Sequence, residues 1–348
     1  MLYALIAFCI SAITIPIVIR LCNKYQWYDT VNKRKIHTGN IPRLGSIGFV
    51  TAFVIAAFLY GSIDNAVHLL NIVPILIAGL IIFAGGVIDD FKDLPAKLKL
   101  LIQAAAALIV VANDFIFTRI GSLSFGIAGY GITFLWIIGV VNAFNLIDGV
   151  DALCGGLSFF IITTIGIIYV IYGADSVAIL CFILAAAILG FLVYNKPKAK
   201  IFMGDGGSQF LGFMVAILPL YPVAIPRFAY NKLAVTFVLA AIPILDTFAA
   251  MWRRTREHRS FFSPDRSHLH HKLMNMGYGT TSILILLYAI QIALCIAVIG
   301  ATWLGGRWSI LILFGCFIAM IGFFSIIHYT NRAVARAYKA ADNTKPKD

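Results

Sequence analysis

The residues best able to do chemistry in this chain are seven aspartates. Asp89, Asp90, Asp93, Asp148, Asp151, Asp205 and Asp246 each fall at or just past the end of a long apolar run, in a chain with only 15 Asp and Glu among 348 residues. Carboxylates are costly near lipid and repel one another, so a set gathered at one interface calls for a cation or a reaction. A divalent metal is the natural cation, and phosphate handling beside a membrane is the natural reaction.

Each cluster has a chemical reading and a plainer one. Asp89 and Asp90 follow Gly85-Gly86 and face Lys97 and Lys99. An adjacent pair there can bind a hard cation or take a proton from a phosphate, whereas a single Asp would be an ordinary solvated helix end. Asn142, Asn145, Asp148 and Asp151 recur every three residues. If one helix carries them, neighbours in the series share a face that can read a nucleobase, bind ribose or hold a metal. A lone Asn would be interhelical polar glue, and four in register weigh against that. Phe202-Met203-Gly204-Asp205-Gly206-Gly207-Ser208 is a glycine turn before an apolar run, suited to close phosphate approach, with Asp205 as a metal ligand. Taken alone it is equally an ordinary tight turn. His268, His270 and His271 follow an arginine run and Pro264-Asp265-Arg266. Their spacing suits pyrophosphate donors better than zinc ligands. Lys35, His37 and Arg43, in the loop before Gly45-Ser46, can clamp a phosphorylated headgroup or only fix topology.

The elements that position these groups are membrane helices. Sixty-one per cent of the residues are apolar and mean hydropathy is +0.93, outside the range of soluble domains. Runs near 2–21, 44–60, 69–88, 98–113, 131–147, 155–172, 176–194, 209–224, 232–250, 280–303 and 308–328 predict about eleven transmembrane helices in an all-α fold. The first reads as a retained span and not a cleaved signal peptide. Loops near 20–43, 89–99, 148–154, 195–208 and 251–279, with the tail from 329, hold 23 of the 27 Lys and Arg. That bias predicts an outer N-terminus, a cytoplasmic C-terminus and an active site at the cytoplasmic face, where 12 of the 15 acids also fall. A catalytic domain over 1–328 and a disordered tail over 329–348 are expected. The net charge of +12 then reflects topology and anionic membrane lipids, with no nucleic-acid partner. Six cysteines without CxxC spacing read as small buried hydrophobes.

Taken together, the KRKxH…PRxG loop, GGxxDD, NAFNLIDGxDxL, FMGDxGS, PxxDxxxxxxRR at Pro243 to Arg254, and SPDRxHxHH resemble the polyprenyl-phosphate N-acetylhexosamine-1-phosphate transferase family, glycosyltransferase family 4. The likeness covers nearly the whole chain, and the ordered combination is highly specific. It implies a bacterial, inner-membrane, multi-pass transferase. Asp205 would be the magnesium ligand, with manganese as a substitute. Asp89 would be the base, with Asp90 beside the polyprenyl phosphate. Asn145, Asp148 and Asp151 would line the nucleotide-sugar pocket, with Asn142 among the substrate-binding residues. Phe202 would stack on uracil, Lys99 would contact phosphate, and His268, His270 and His271, with Arg266, would hold the pyrophosphate or sugar end. One departure is Ser46, where the family usually has a second Gly.

The resemblance implies attack of undecaprenyl phosphate on the β-phosphorus of a UDP-N-acetylhexosamine, releasing UMP. Two anions must meet, so neutralising charge is the main task. Direct attack is favoured over an aspartyl-phosphate intermediate, which the sequence leaves open. The rival within the family is the transferase of peptidoglycan synthesis, against which the histidine pattern argues. The rival outside it is a cation-coupled transporter, which would place its charges near the midplane. A homodimer, the particular hexosamine and the glycan that is begun are left open.

Overall fold

The computed structural model describes residues 1–28, 41–63, 69–222, 231–260 and 268–343. The apolar runs are helical, because only a helix satisfies its own backbone in lipid. In chain order they are α1 (Leu2–Tyr25), α2 (Ser46–Ile63), α3 (Leu69–Lys92), α4 (Ala96–Val111), α5 (Ala128–Ile147), α6 (Leu153–Ile171), α7 (Asp175–Asn195) and α8 (Gly204–Ile217). There follow α9 (Lys232–Leu239), α10 (Ala241–Arg256), the short α11 (Leu269–Asn275), α12 (Thr280–Leu304) and α13 (Gly306–Asn343). A two-stranded hairpin pairs β1 (Arg119–Ile120) with β2 (Leu123–Ser124).

Among the described residues, α1, α2, α3, α5, α6, α7, α12 and α13 are long and apolar enough to cross a membrane. The pair α9 and α10, bent by 78°, would make a ninth span. The runs at 98–113 and 209–224 give helices of 16 and 14 residues, shorter than the roughly 20 that a bilayer core requires. Pro95 precedes α4, and α8 gives way to a tighter turn at Leu218–Leu220, where Pro219 has no N–H to donate. The chain is thus an all-α, multi-pass membrane protein with eight or nine such spans. The tail expected to be disordered from 329 is instead helical to Asn343, continuous with α13. Its Arg332-Ala-Val-Ala-Arg-Ala-Tyr-Lys-Ala-Ala stretch is rich in strong helix formers.

Helices α6 and α7 form the interior, while α1 and α13 turn Ile13, Ile17, Leu311, Phe314 and Ile318 outward. Helix α8 packs between α3 and α5, and α4 lies against both of those. Lipid is as apolar as leucine, so close packing of small residues replaces the hydrophobic force. The α3–α8 crossing shows it: a Cβ on Gly86 would lie 2.5 Å from the Cα of Gly206. That approach brings the end of α3 against the start of α8, and Asp89 beside Asp205.

Candidate active site

The site is built where α3 and α5 end and α4 and α8 begin. Asp89 accepts a hydrogen bond from the Leu94 amide at 2.8 Å, which holds the turn into α4. Its Oδ2 pairs with the Lys99 ammonium, one turn into α4. Lys99 also stands 3.5 Å from Asp205 Oδ2. One lysine therefore bridges two carboxylates from different helices.

Asp90 is used differently from its neighbour. Its Oδ1 accepts from Arg43 Nε at 3.2 Å, Arg43 Nη2 at 2.8 Å and the Asp205 amide at 2.9 Å, and its Oδ2 from the Gly206 amide at 3.2 Å. A carboxylate on the free N–H groups of a helix start is a cap, stabilised by the helix dipole. Asp90 thus anchors α8 and seats Asp205, and Arg43, expected as a phosphate clamp, holds Asp90. The segment that leads into α2 is pinned in the same place. Pro42 accepts the Phe202 amide at 2.8 Å, Phe202 accepts the Gly45 amide at 2.9 Å, and Met203 accepts the Ser46 amide at 3.3 Å. Ser46, the departure from the family pattern, does not prevent this docking. The Phe202 side chain is half-buried.

The series Asn142, Asn145, Asp148, Asp151 does not stay on one face. Helix α5 ends at Ile147, and Asp148 follows with ψ 54°, outside the helical range. Asn145 donates to Asp205 Oδ1 at 3.1 Å and Ser208 Oγ at 3.0 Å. Asn142 turns away, donating to Gln103 Oε1 at 2.7 Å, while Gln103 donates to Gln209 at 3.1 Å. This amide chain ties α5, α4 and α8 together, the glue role that a membrane Asn commonly has. Asp151 accepts the Ala199 amide at 3.0 Å and ties two loops. Asn195 adds a second tie, accepting from the Ala152 amide at 2.9 Å and donating to the Ile201 carbonyl at 2.8 Å. The Asp148 carboxyl is held well above the usual range by burial and then by the charges of Asp205, Asp90 and Asp151.

The histidine segment reaches this cluster through Gly149. A Cβ on Gly149 would lie 2.6 Å from His270 Cε1 and Nε2, so only glycine leaves room for the ring. His270 is buried, its Nδ1 has no partner among the described residues, and burial followed by the charge of His271 pushes its pKa down to about 3. Burial thus favours the neutral imidazole at His270. His268 and His270 stack at 6.1 Å, and His270 and His271 lie 4.3 Å apart. Gly149→Ala should displace the His270 ring at a cost of about 1 kcal/mol in stability. Turnover should fall about 10- to 100-fold, since a misplaced contact group costs rate before it costs fold. Steady-state kinetics beside a thermal melt would separate the two effects.

Lys35, His37 and Arg266 lie outside the described residues. Residues that the sequence analysis did not assign to the site are Gln103, Asn195, Ser208 and Gln209, and Asp246 stood among the seven aspartates without a role. Gln103 carried a signal, since a buried amide in an apolar run needs a partner. Asp246 carried one too, as the acid of the PxxD motif.

The carboxylates fit a magnesium ion. Among the described residues no group of three or more His, Cys, Asp or Glu could hold a metal. Magnesium commonly takes one or two carboxylates and completes its shell with water and substrate phosphates, so Asp205 and Asp89 would be enough. Burial raises the Asp148 carboxyl most, and the charges of Asp205, Asp90 and Asp151 add to it; a cation would relieve that second part. An apolar cavity of about 820 Å³ runs along α5, from the hairpin to Ala143, between the α9–α10 bend and α13. Leu135, Trp136, Gly139, Phe237, Phe248 and Phe314 line it.

Comparison with known proteins gives the chain's family. Residues 72–222 match glycosyl transferase family 4. The chain is 34% identical over 312 residues, 86% of its length and 85% of the other's, to a probable undecaprenyl-phosphate N-acetylglucosaminyl 1-phosphate transferase of Bacillus subtilis. It is 32% identical to the undecaprenyl-phosphate alpha-N-acetylglucosaminyl 1-phosphate transferase of Escherichia coli K12, over 77% of this chain and 74% of that one. For the protein of that name from Yersinia pestis the identity is 34%, over 78% of this chain and 76% of that one. With more than three quarters of its length aligned to such relatives, the chain belongs to glycosyl transferase family 4.

Proposed function

We propose that this protein transfers N-acetylglucosamine 1-phosphate from UDP-N-acetylglucosamine to undecaprenyl phosphate, releasing UMP, at the cytoplasmic face of a bacterial inner membrane. The observation that carries the reading is the Asp89–Lys99–Asp205 cluster, which joins two carboxylates and a cation at one end of a membrane bundle. Support for the sidedness comes from the 23 of 27 basic residues assigned to the loops of that end. Support for eleven crossings comes from α4 and α8, which begin at the cluster and pack along helices that end there. Each then carries the chain back across the bundle, although by itself each is short.

In the reaction, an oxygen of the acceptor phosphate bonds to the β-phosphorus of the UDP-sugar, the bond between the β-phosphorus and the bridging oxygen breaks, and UMP leaves. A magnesium ion held by Asp205 and Asp89 would neutralise the pyrophosphate and polarise the scissile bond. Lys99 steadies both carboxylates and meets incoming phosphate. Asp89, paired with Lys99 through Oδ2, can take the proton of a monoprotonated acceptor phosphate. Asn145 orients Asp205. His270, neutral and against Gly149, offers a neutral hydrogen-bonding group to the donor.

The acceptor's hydrocarbon chain fits the apolar cavity, which continues from the inner end of α5 and α10 toward the hairpin. Gly139 lines it, and a Cβ there would meet nothing within 4 Å. Gly139→Trp should fold normally, raise the KM for undecaprenyl phosphate about 10-fold by filling the cavity, and leave the KM for UDP-N-acetylglucosamine unchanged. Purified protein given undecaprenyl phosphate, magnesium and a panel of UDP-sugars tests the donor. UMP released from UDP-N-acetylglucosamine only when lipid is present is the expected result. Release from a UDP-muramoyl peptide alone would move the protein to peptidoglycan synthesis.

A further inference from the structure

We propose that Asp246 is the positioning residue of the histidine segment. It fixes His268 with its proton on Nδ1 and seats α11 so that His270 meets the end of α5. The kinetic consequence rests on the transferase reading; the tautomer does not.

Asp246 is 1% exposed, on α10, and both of its carboxylate oxygens are used. Oδ2 lies 2.9 Å from His268 Nδ1, and Oδ1 accepts the Leu269 amide at 2.8 Å. A carboxylate only accepts, so Nδ1 must be the donor. The hydrogen bond at one ring nitrogen decides what the other can do. His268 is therefore left with Nε2 as an acceptor when neutral and as a second donor when charged. The Leu269 bond adds a spatial constraint. Leu269 is the first residue of α11, the helix that carries His270 and His271. Asp246 thus ties α10 to the start of α11, and His270, the next residue of that helix, meets Gly149. One buried carboxylate sets the proton of one histidine and the place of the next.

Asp246→Asn separates these roles from mere packing. The side chain keeps its shape, but it has one oxygen and one NH2. The Leu269 amide can only donate, so it takes the oxygen. The NH2 then faces His268 Nδ1, which must become an acceptor, and the ring proton moves to Nε2. The backbone tie survives while the tautomer reverses.

The test is ¹⁵N NMR of histidine-labelled protein at pH 8, with the His268 signals assigned by their loss in His268→Gln. The expected result is a protonated Nδ1 in the native protein and a protonated Nε2 in Asp246→Asn. With undecaprenyl phosphate and UDP-N-acetylglucosamine, Asp246→Asn should lower kcat about 10- to 100-fold, in the range seen when a carboxylate that orients a histidine is removed. KM should stay within about threefold, and adding Asp246→Asn to His268→Gln should cost less than about twofold more, because the two act as one unit. A native His268 carrying its proton on Nε2 overturns the proposal, as does an Asp246→Asn variant with unchanged tautomer and unchanged kcat. The native tautomer does not depend on any variant folding. Should the native protein release no UMP, the transferase reading fails, and the tautomer alone decides the assignment of Asp246.

Discussion

Asp205→Asn should lower turnover by about 10³-fold or more while leaving membrane insertion and folding intact. The carboxylate sits at the first turn of α8, within 3.5 Å of Lys99 and 3.1 Å of Asn145, and its side chain is 32% exposed, enough for solvent and substrate to reach. The amide that replaces it keeps the size and one oxygen. It loses the charge that a magnesium ion needs, and a hard cation binds a neutral amide far more weakly than a carboxylate. The fold should tolerate the change because the α8 start is capped by Asp90 and not by Asp205. UMP release beside a size-exclusion profile in detergent checks both halves. Near-native turnover would remove Asp205 from the metal role.

Gly86→Val should be the most damaging single change to the framework. A Cβ on Gly86 would lie 2.5 Å from Gly206 Cα, 2.6 Å from Gly206 N and 2.7 Å from the Asp205 carbonyl oxygen. All three are backbone atoms, so no side chain can rotate out of the way. Helices α3 and α8 must separate, at a cost of about 1–3 kcal/mol or more. The same separation pulls Asp90 from the α8 amides and Asp89 from Asp205. Thermal stability and turnover should therefore fall together, with Gly86→Ala intermediate. A Gly86→Val protein that melts like the native one would mean that the crossing is looser than these distances indicate.

Much of this site was legible in the sequence, because it lies in short motifs at the ends of apolar runs. Runs of apolar residues marked the helices, and Asp89, Asn145 and Asp205 came from three separate motifs that the fold brings together, with Lys99 read as facing the first. What the sequence hid was orientation at the level of single side chains. Asp89 and Asp90 are adjacent and chemically identical, yet one faces Lys99 and the other caps α8. That division depends on where α8 crosses α3, a tertiary fact set by Gly86 and Gly206. Similarly, the three-residue spacing of Asn142, Asn145, Asp148 and Asp151 suggested one face, but the helix stops at Ile147. Asn142 then pairs with Gln103 and Asp151 with a loop amide. Span number was limited by length: α4 and α8 are helical as expected, but Pro95 and Pro219 confine them. The helical tail beyond residue 328 was missed because its polarity outweighed its alanine content.

The reading of the site as a phosphosugar transferase can be tested by following one phosphorus atom. Purified protein would be incubated with undecaprenyl phosphate, magnesium and UDP-N-acetylglucosamine carrying ³²P only at the β-phosphate. The account predicts that the label passes into the lipid product and that the nucleotide released is unlabelled UMP. Label left in released UDP would show transfer of the sugar without its phosphate, and would contradict the account.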